Sequence, residues 1–375
     1  MTTPKDILRT SVMNRLLGVL MLFFISMAAP LHVGGQSSPA EIASLKKRAA
    51  QGNPFAQELL GDAYLNGEGV PENKTEAVKW YRLAAAKGIA GAQYSLGDAY
   101  RYGEGVPENT AEAVKWFRLA AAQGYAAAQN ILGVSYGNGE GVPENKAEAV
   151  KWFRLAAAQG YATAQFNLGV AYGNGDGVPE DNAEAVKWFR LAAAQGDANA
   201  QHNLGYAYDF GDGVPENKTE AVKWYRLAAA QGNARAQFNL GVMYDDGDGV
   251  PENKAEAVKW YRLAAAQGVA SAQYNLGVMY RDGDGVPKND TEALEWYRLA
   301  AAQGYADAQY NLGYAYANGE GVPEDYVQAY KWWNLAAATG DTSAVNNKNI
   351  LATKMTKEQI AEAQRLSTLF KPTKR

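Results

Sequence analysis

The sequence predicts an all-α fold, a solenoid of stacked helix hairpins, and three observations carry that prediction. Trp80, Trp116, Trp152, Trp188, Trp224, Trp260, Trp296 and Trp332 stand 36 residues apart. A Gly-Val-Pro step opening at Gly69 recurs at the same interval, at Gly105, Gly141, Gly177, Gly213, Gly249, Gly285 and Gly321. Between these markers, apolar residues return at helical rather than alternating spacing. A fixed period of this size means supersecondary units that bury their apolar faces only against their neighbours. A residue present in every copy is therefore scaffold, and individuality lies where the copies differ.

Residues 1–40 stand outside the array. Lys5, Arg9 and Arg15 precede an uncharged apolar run from Leu16 to Ala29, which Pro30 breaks before a small polar stretch. That order reads as a secretory signal peptide, with cleavage after Ala28 or near Gly35 or Ala40. Export to the periplasm or the medium is the expectation, with no membrane segment left after cleavage. The alternative is an uncleaved anchor, but the 14 residues of the run fall short of the roughly 20 that a spanning helix needs. Residues 41–52 then read as an N-terminal capping helix, ending Arg48-Ala49-Ala50-Gln51-Gly52 like the second half of a repeat.

Eight units follow: 53–88, 89–124, 125–160, 161–196, 197–232, 233–268, 269–304 and 305–340. In the unit 89–124, Ala92, Leu96, Gly97 and Tyr100 lie on one helical stripe, and Gly103 is a natural left-handed terminator. The Gly- and Pro-broken stretch Gly103 to Pro107 cannot continue the helix. Asn109 can cap a second helix, with Glu112 three residues on reaching back in a capping box. The pair recurs as Asn73/Glu76, Asn145/Glu148, Asp181/Glu184, Asn217/Glu220, Asn253/Glu256, Asn289/Glu292 and Asp325/Gln328. The second helix carries Ala113, Trp116, Phe117, Leu119, Ala120 and Ala121 up to Gly124. Small side chains let a neighbouring backbone approach while the indole fills the groove, so the tryptophans read as core rather than a carbohydrate-stacking strip.

Residues 341–375 close the array. Asp341 to Thr353 reads as a degenerate first helix without the Leu-Gly pair. Thr356 caps a last helix through Phe370, with Gln359 in the capping-box position and Ile360, Ala363 and Leu366 facing inward. The tail from Lys371 to Arg375 is expected to fray.

Composition narrows the function classes. The 375 residues carry a net charge of −4, and cysteine is absent. A mildly acidic chain offers no clustered basic face for nucleic acid. Disulfides, thiolate metal sites and cysteine nucleophiles are excluded outright. Beyond residue 40 the one histidine is His202, so a triad-like site lacks members. The loop acids (Glu68, Glu104, Glu140, Asp176, Asp212, Asp248, Asp284, Glu320) recur too regularly to be a catalytic pair. Asp246-Gly247-Asp248-Gly249 is interrupted by Pro251 before it could form a calcium loop, and reads as a solvated turn. No catalytic residue, cofactor or metal is expected. Asn73, Asn217 and Asn289 begin N-x-T sequons that coincide with helix caps.

The frame A-x-x-x-L-G-x-x-Y-x-x-G-x-G-V-P followed by A-x-x-W-[YF]-x-x-A-A-x-x-G resembles the Sel1-like repeat (SLR), a relative of the tetratricopeptide repeat. Here it is carried by Ala92, Leu96, Gly97, Tyr100, Gly103, Gly105, Val106, Pro107, Ala113, Trp116, Phe117, Ala120, Ala121 and Gly124 and their equivalents over residues 53–340. The resemblance implies a right-handed superhelix of antiparallel helix pairs that acts as an adaptor in protein complexes. Some exported members carry a disulfide in each repeat. This chain, having no cysteine, departs from them, and their activities are not transferred to it.

By the same resemblance, the exposed side of each first helix lines a concave groove, where the copies vary most. Its candidate partner-binding residues are Tyr94, Asp98 and Arg101, then Phe166 and Val170, then His202, Tyr206 and Asp209, with Phe210 beside them. Phe238, Val242 and Asp245, then Tyr274, Val278 and Arg281, and finally Tyr310 and Tyr314 complete the set. Aromatics and valines rimmed by Asp and Arg suit a protein-binding groove. The plainer alternative is that the rings brace adjacent first helices. His202, Tyr206 and Asp209 are expected to form one polar cluster. The expected function is a monomeric, non-enzymatic scaffold for a protein or peptide ligand. A cell-envelope hydrolase and a spacer without a specific partner are the alternatives.

Overall fold

The computed structural model describes residues 38–373, so the export reading of residues 1–37 lies outside the described residues. All elements among the described residues are helices, and these residues divide into two compact units, 38–195 and 196–373. The first contains α1 (Pro39–Ala50), α2 (Pro54–Asn66), α3 (Lys74–Ala86), α4 (Ala90–Tyr102), α5 (Thr110–Ala122), α6 (Ala126–Asn138), α7 (Lys146–Ala158), α8 (Ala162–Asn174) and α9 (Asn182–Ala194). The second contains α10 (Ala198–Phe210), α11 (Lys218–Ala230), α12 (Ala234–Asp246), α13 (Lys254–Ala266), α14 (Ala270–Asp282), α15 (Asp290–Ala302), α16 (Ala306–Asn318), α17 (Tyr326–Ala337), α18 (Thr342–Ala352) and α19 (Lys357–Leu369). Within each unit successive helices pack as hairpins, and each hairpin packs on the next, which makes a solenoid.

Local chemistry sets every boundary of the hairpin. The first helix of the copy 89–124 ends at Gly103, whose φ of 69° is a left-handed cap. The second helix starts at Asn109, whose side chain accepts from the Glu112 N–H at 3.0 Å. The reciprocal half of the expected capping box is absent here. Glu112 accepts from Lys115 Nζ at 2.7 Å instead. The Asn109 N–H donates to the Tyr100 carbonyl at 2.7 Å, which ties the loop back to the first helix. A basic residue one turn on competes for the glutamate, and the loop has already supplied the cap's acceptor. Complete boxes form at the array's ends, at Ser38/Glu41 and Thr356/Gln359.

Inside the hairpin, the glycine of the Leu-Gly pair lies under the ring that follows each tryptophan. A Cβ on Gly97 would sit 2.5 Å from Phe117, and one on Gly277 would sit 2.4 Å from Tyr297. Glycine is required by close approach, and the ring is buried in its copy. The ladder tryptophans are half-buried, apart from the buried Trp332, and belong to the junctions: Trp116 packs on the cluster that joins Ala77 and Tyr81 of the preceding hairpin to Leu96 of its own. At the same junction a Cβ on Gly105 would meet the Lys74 carbonyl at 2.3 Å. Leu119 lies outside the core. It is 49% exposed, as are Leu83, Leu155, Leu191, Leu227, Leu263 and Leu299 to a similar degree.

Two polar ladders run through the junctions. Gln93, buried, donates to the Ala85 carbonyl at 3.1 Å and accepts from Gln123 at 2.7 Å. Gln129 and Gln273 repeat both bonds. Arg82 donates to the Tyr100 hydroxyl of the next hairpin, as Arg118 does to Tyr136. Buried amides of this kind are costly unless satisfied, so they fix the register of stacking as well as its strength.

As far as Thr373, the C-terminal tail packs against the array. Phe370 meets Trp332 edge-on with 5.7 Å between ring centroids. The Thr373 N–H donates to the Ala302 carbonyl at 2.8 Å, so the tail folds back on α15. Asp341 caps α18 through the Ser343 and Ala344 N–H groups, and Ala363 of α19 is fully buried.

Candidate protein-binding face of the first helices

The varied residues of the first helices come together within each unit, and most are half-buried. Tyr94, Asp98, Arg101, Phe166 and Val170 have this partial exposure in the first unit. His202, Tyr206, Phe238, Val242, Asp245, Tyr274, Val278, Arg281 and Tyr310 have it in the second, where Tyr314 is 44% exposed. Asp209, at 7%, is buried.

The aromatic ring two residues before the leucine rests on the buried ring of its own second helix. Tyr94 and Phe117 have centroids 5.8 Å apart, Phe166 and Phe189 6.0 Å, Phe238 and Tyr261 5.8 Å, and Tyr274 and Tyr297 6.0 Å. Each ring therefore braces the core with one side. Residues of neighbouring copies also touch. Tyr94 packs on Tyr125 and Tyr274 on Tyr305, each at 5.3 Å. Asn167 donates to Asn130 at 2.9 Å, and Asn347 to the Tyr310 hydroxyl at 3.2 Å. The face is thus continuous between neighbouring first helices within a unit, and its rings are held at fixed positions.

The expected polar cluster of His202, Tyr206 and Asp209 divides instead among three sets of neighbours. His202 Nδ1 lies 3.0 Å from the Asn203 side-chain oxygen, and Nε2 lies 3.4 Å from Asn239. Burial holds this imidazole down at about 4, opposed by the Asn203 hydrogen bond, so it is neutral at physiological pH. Tyr206 stacks on Phe210 at 4.5 Å. Asp209 accepts from Lys218 at 2.6 Å and from the Tyr225 hydroxyl at 3.1 Å. Spacing places the three on one helical face, but their partners are drawn from α10 itself, from α11 and from α12.

Charged members of the face are paired to differing degrees. Arg101 reaches Glu140 at 2.9 Å, Lys254 reaches Asp245 at 2.8 Å, and Arg281 forks onto Asp282. Asp98 stands apart, with a buried Oδ1 that meets no donor among the described residues. Burial pushes its carboxyl up to about 6, against the pull of Tyr94 and Arg101.

No group of three or more potential metal ligands occurs among the described residues, and no described helix is long and apolar enough to cross a membrane. The row of half-exposed leucines on the second helices is a surface feature outside the candidate set. Its signal was present in the sequence, since Leu119 is two residues past the buried Phe117 and so turned away from it.

Comparison with known proteins agrees with this geometry. The profile of the Sel1 repeat matches residues 54–89, 90–125, 126–161, 162–197, 198–233, 234–269, 270–305 and 306–341. A Sel1 repeat protein from Oxalobacter formigenes is 33% identical, with 89% of this chain and 99% of that one aligned at a TM-score of 0.63. A protective antigen present in uropathogenic Escherichia coli strains, displaying an SLR fold, is 36% identical over 88% of this chain and 79% of its own, at a TM-score of 0.58. No curated protein matches the chain.

Proposed function

The chain belongs to the Sel1 repeat family, and we propose that it is a scaffold gripping a partner protein or peptide along the exposed face of its first helices. Sel1 repeat proteins generally mediate protein–protein interaction, and the fold is typically a non-enzymatic scaffold. The observation that carries the finer reading is the division of labour within each copy. The residues that recur form the hairpin and its junctions, whereas the half-exposed rings of the first helices change from copy to copy. Rings braced from behind, as Phe238 is by Tyr261, lose little freedom on binding and so favour affinity. The reading includes a monomer without catalytic activity, exported through residues 1–40. An uncleaved anchor is the alternative to export.

The test replaces Tyr206, Phe238 and Tyr274 together with alanine and measures capture of peptides from a random 12-residue display library. Loss of capture with an unchanged helical circular-dichroism signal supports the reading, and unchanged capture by the folded variant refutes it. Turnover of a cell-envelope substrate that is lost on His202→Ala would favour the hydrolase alternative.

A further inference from the structure

The buried ring of each second helix follows a pairing rule, and one copy breaks it. Tyr81 donates its hydroxyl to Asp62 at 2.8 Å, Tyr225 to Asp209 at 3.1 Å, and Tyr261 to Asp245 at 3.3 Å. The acid stands two or five residues after the leucine of the first helix. Phe117, Phe153 and Phe189 have no hydroxyl to satisfy, and the Trp333 indole N–H donates to the Tyr310 carbonyl at 3.1 Å. Tyr297 is the exception. The two acid positions of its copy hold Val278 and Arg281, and Arg281 is turned onto Asp282. Tyr297 is only 3% exposed, yet its hydroxyl meets no partner among the described residues. The Asn311 side-chain nitrogen is buried and unpartnered beside it.

Both orphaned groups line one small cavity in the candidate face. Its walls include Arg281, Asp290, Tyr297, Asn311, Tyr314 and Glu320, and it has space of about 20 Å³. Both buried groups can donate, and the Tyr297 hydroxyl can also accept, so a single oxygen placed between them takes a hydrogen from each. Glu320 and Asp290, the latter also 3.6 Å from Lys288, are acceptors that would welcome an N–H, and the positive charge of Arg281 in the same wall is taken up by Asp282. A group offering one oxygen inward and an NH2 toward the carboxylates satisfies both needs. A carboxylate offers no hydrogen, and an ammonium offers no acceptor.

We propose that this cavity is a subsite for a primary carboxamide, the side chain of an asparagine or glutamine in the bound partner segment. The carboxamide oxygen accepts from Tyr297 and Asn311, and its nitrogen donates toward Asp290 and Glu320. This deepens the proposed function and rests on it for the partner, but not for the chemistry of the cavity.

The test therefore has two arms. In the first, propionamide, propionate and propylammonium are titrated into the full chain while the Asn311 side-chain amide is followed by NMR. Propionamide should shift that resonance saturably, and Tyr297→Phe should weaken binding about tenfold, the cost of a lost buried hydrogen bond. An equal or stronger response to propionate, or no response to propionamide up to its solubility, overturns the proposal; the second result leaves a water as the occupant. In the second arm, library peptides captured by the first-helix face are varied one residue at a time. An Asn or Gln whose change to the isosteric acid costs about tenfold on the native chain, but far less on Tyr297→Phe, supports the subsite. Peptides that need the face but contain no such position overturn the subsite and leave the scaffold reading standing. Absence of any face-dependent peptide sinks the scaffold reading, and the propionamide arm then decides the cavity alone.

Discussion

Asp98 is the converse of Tyr297, an acid at the pairing position facing a ring without a hydroxyl, Phe117. Its carboxyl ordinarily ionises at 3.8 and is pushed to about 6, first by burial and further by Glu104, while Tyr94 and Arg101 oppose the rise. A raised carboxyl pKa means that the folded state holds its proton more tightly than the unfolded one. The stabilising effect of that proton is complete below 3.8 and is lost as pH rises through about 6. At about 1.4 kcal/mol per pH unit, the full loss is on the order of 3 kcal/mol. Asp98→Asn removes the titration while keeping the shape. Relative to the native chain, the variant should gain that amount between pH 4 and pH 7, whatever pH-independent cost the amide carries. Comparing the two chains cancels the opposite slope from His202, whose lowered pKa weakens the fold as pH falls. Urea denaturation followed by tryptophan fluorescence at pH 4, 5, 6 and 7 measures the difference. Phe117→Tyr, which restores the Tyr81–Asp62 arrangement, should narrow the window. Stability curves of native and Asp98→Asn chains that run parallel from pH 4 to 7 would refute the reasoning.

Two other perturbations test the scaffold. Asn145→Ala removes a cap that accepts from the Glu148 N–H at 3.0 Å and should cost about 1 kcal/mol. Glu148→Ala breaks only a solvent-exposed pair with Lys151 and should cost a few tenths of a kcal/mol; equal losses in urea denaturation would mean that a full capping box forms after all. Lys87 stands where the next six copies have glutamine and leaves the buried Gln57 oxygen without a donor among the described residues. In the equivalent position Gln267 serves both the Gly232 carbonyl and Gln237. Lys87→Gln should therefore raise the midpoint of thermal unfolding by an amount corresponding to about 1 kcal/mol, and a lowered midpoint would contradict the ladder's stabilising role.

The hairpin was legible because its signals are local. Gly103 can end a helix and Asn109 can begin one by backbone chemistry alone, and both do so. Signals that depend on neighbouring copies were harder to read. Gln93 looks like surface polarity, and only the Ala85 carbonyl and Gln123 make it a buried rung. A polar residue recurring on the apolar stripe was the available hint. Glu112 fits a capping box until Lys115 and the Tyr100 carbonyl compete for its two roles. Leu119 is apolar by chemistry, but its phase points away from Phe117. In the candidate face, spacing placed the residues together, but it could not foresee that Tyr225 and Lys218 would claim Asp209. Thr373 meets the carbonyl of Ala302, 71 residues away, a contact that no local pattern encodes.

The central claim is that the varied faces of the first helices, and not the leucine rows of the second, receive a partner. Hydrogen-exchange mass spectrometry of the full chain with and without a captured library peptide tests it directly, since exchange reports on protection segment by segment. The account predicts new protection concentrated in first helices such as Ala234–Asp246 and Ala270–Asp282, and none for the Tyr206, Phe238 and Tyr274 triple alanine variant. Protection confined to the segments carrying Leu227, Leu263 and Leu299, and retained in that variant, would contradict it.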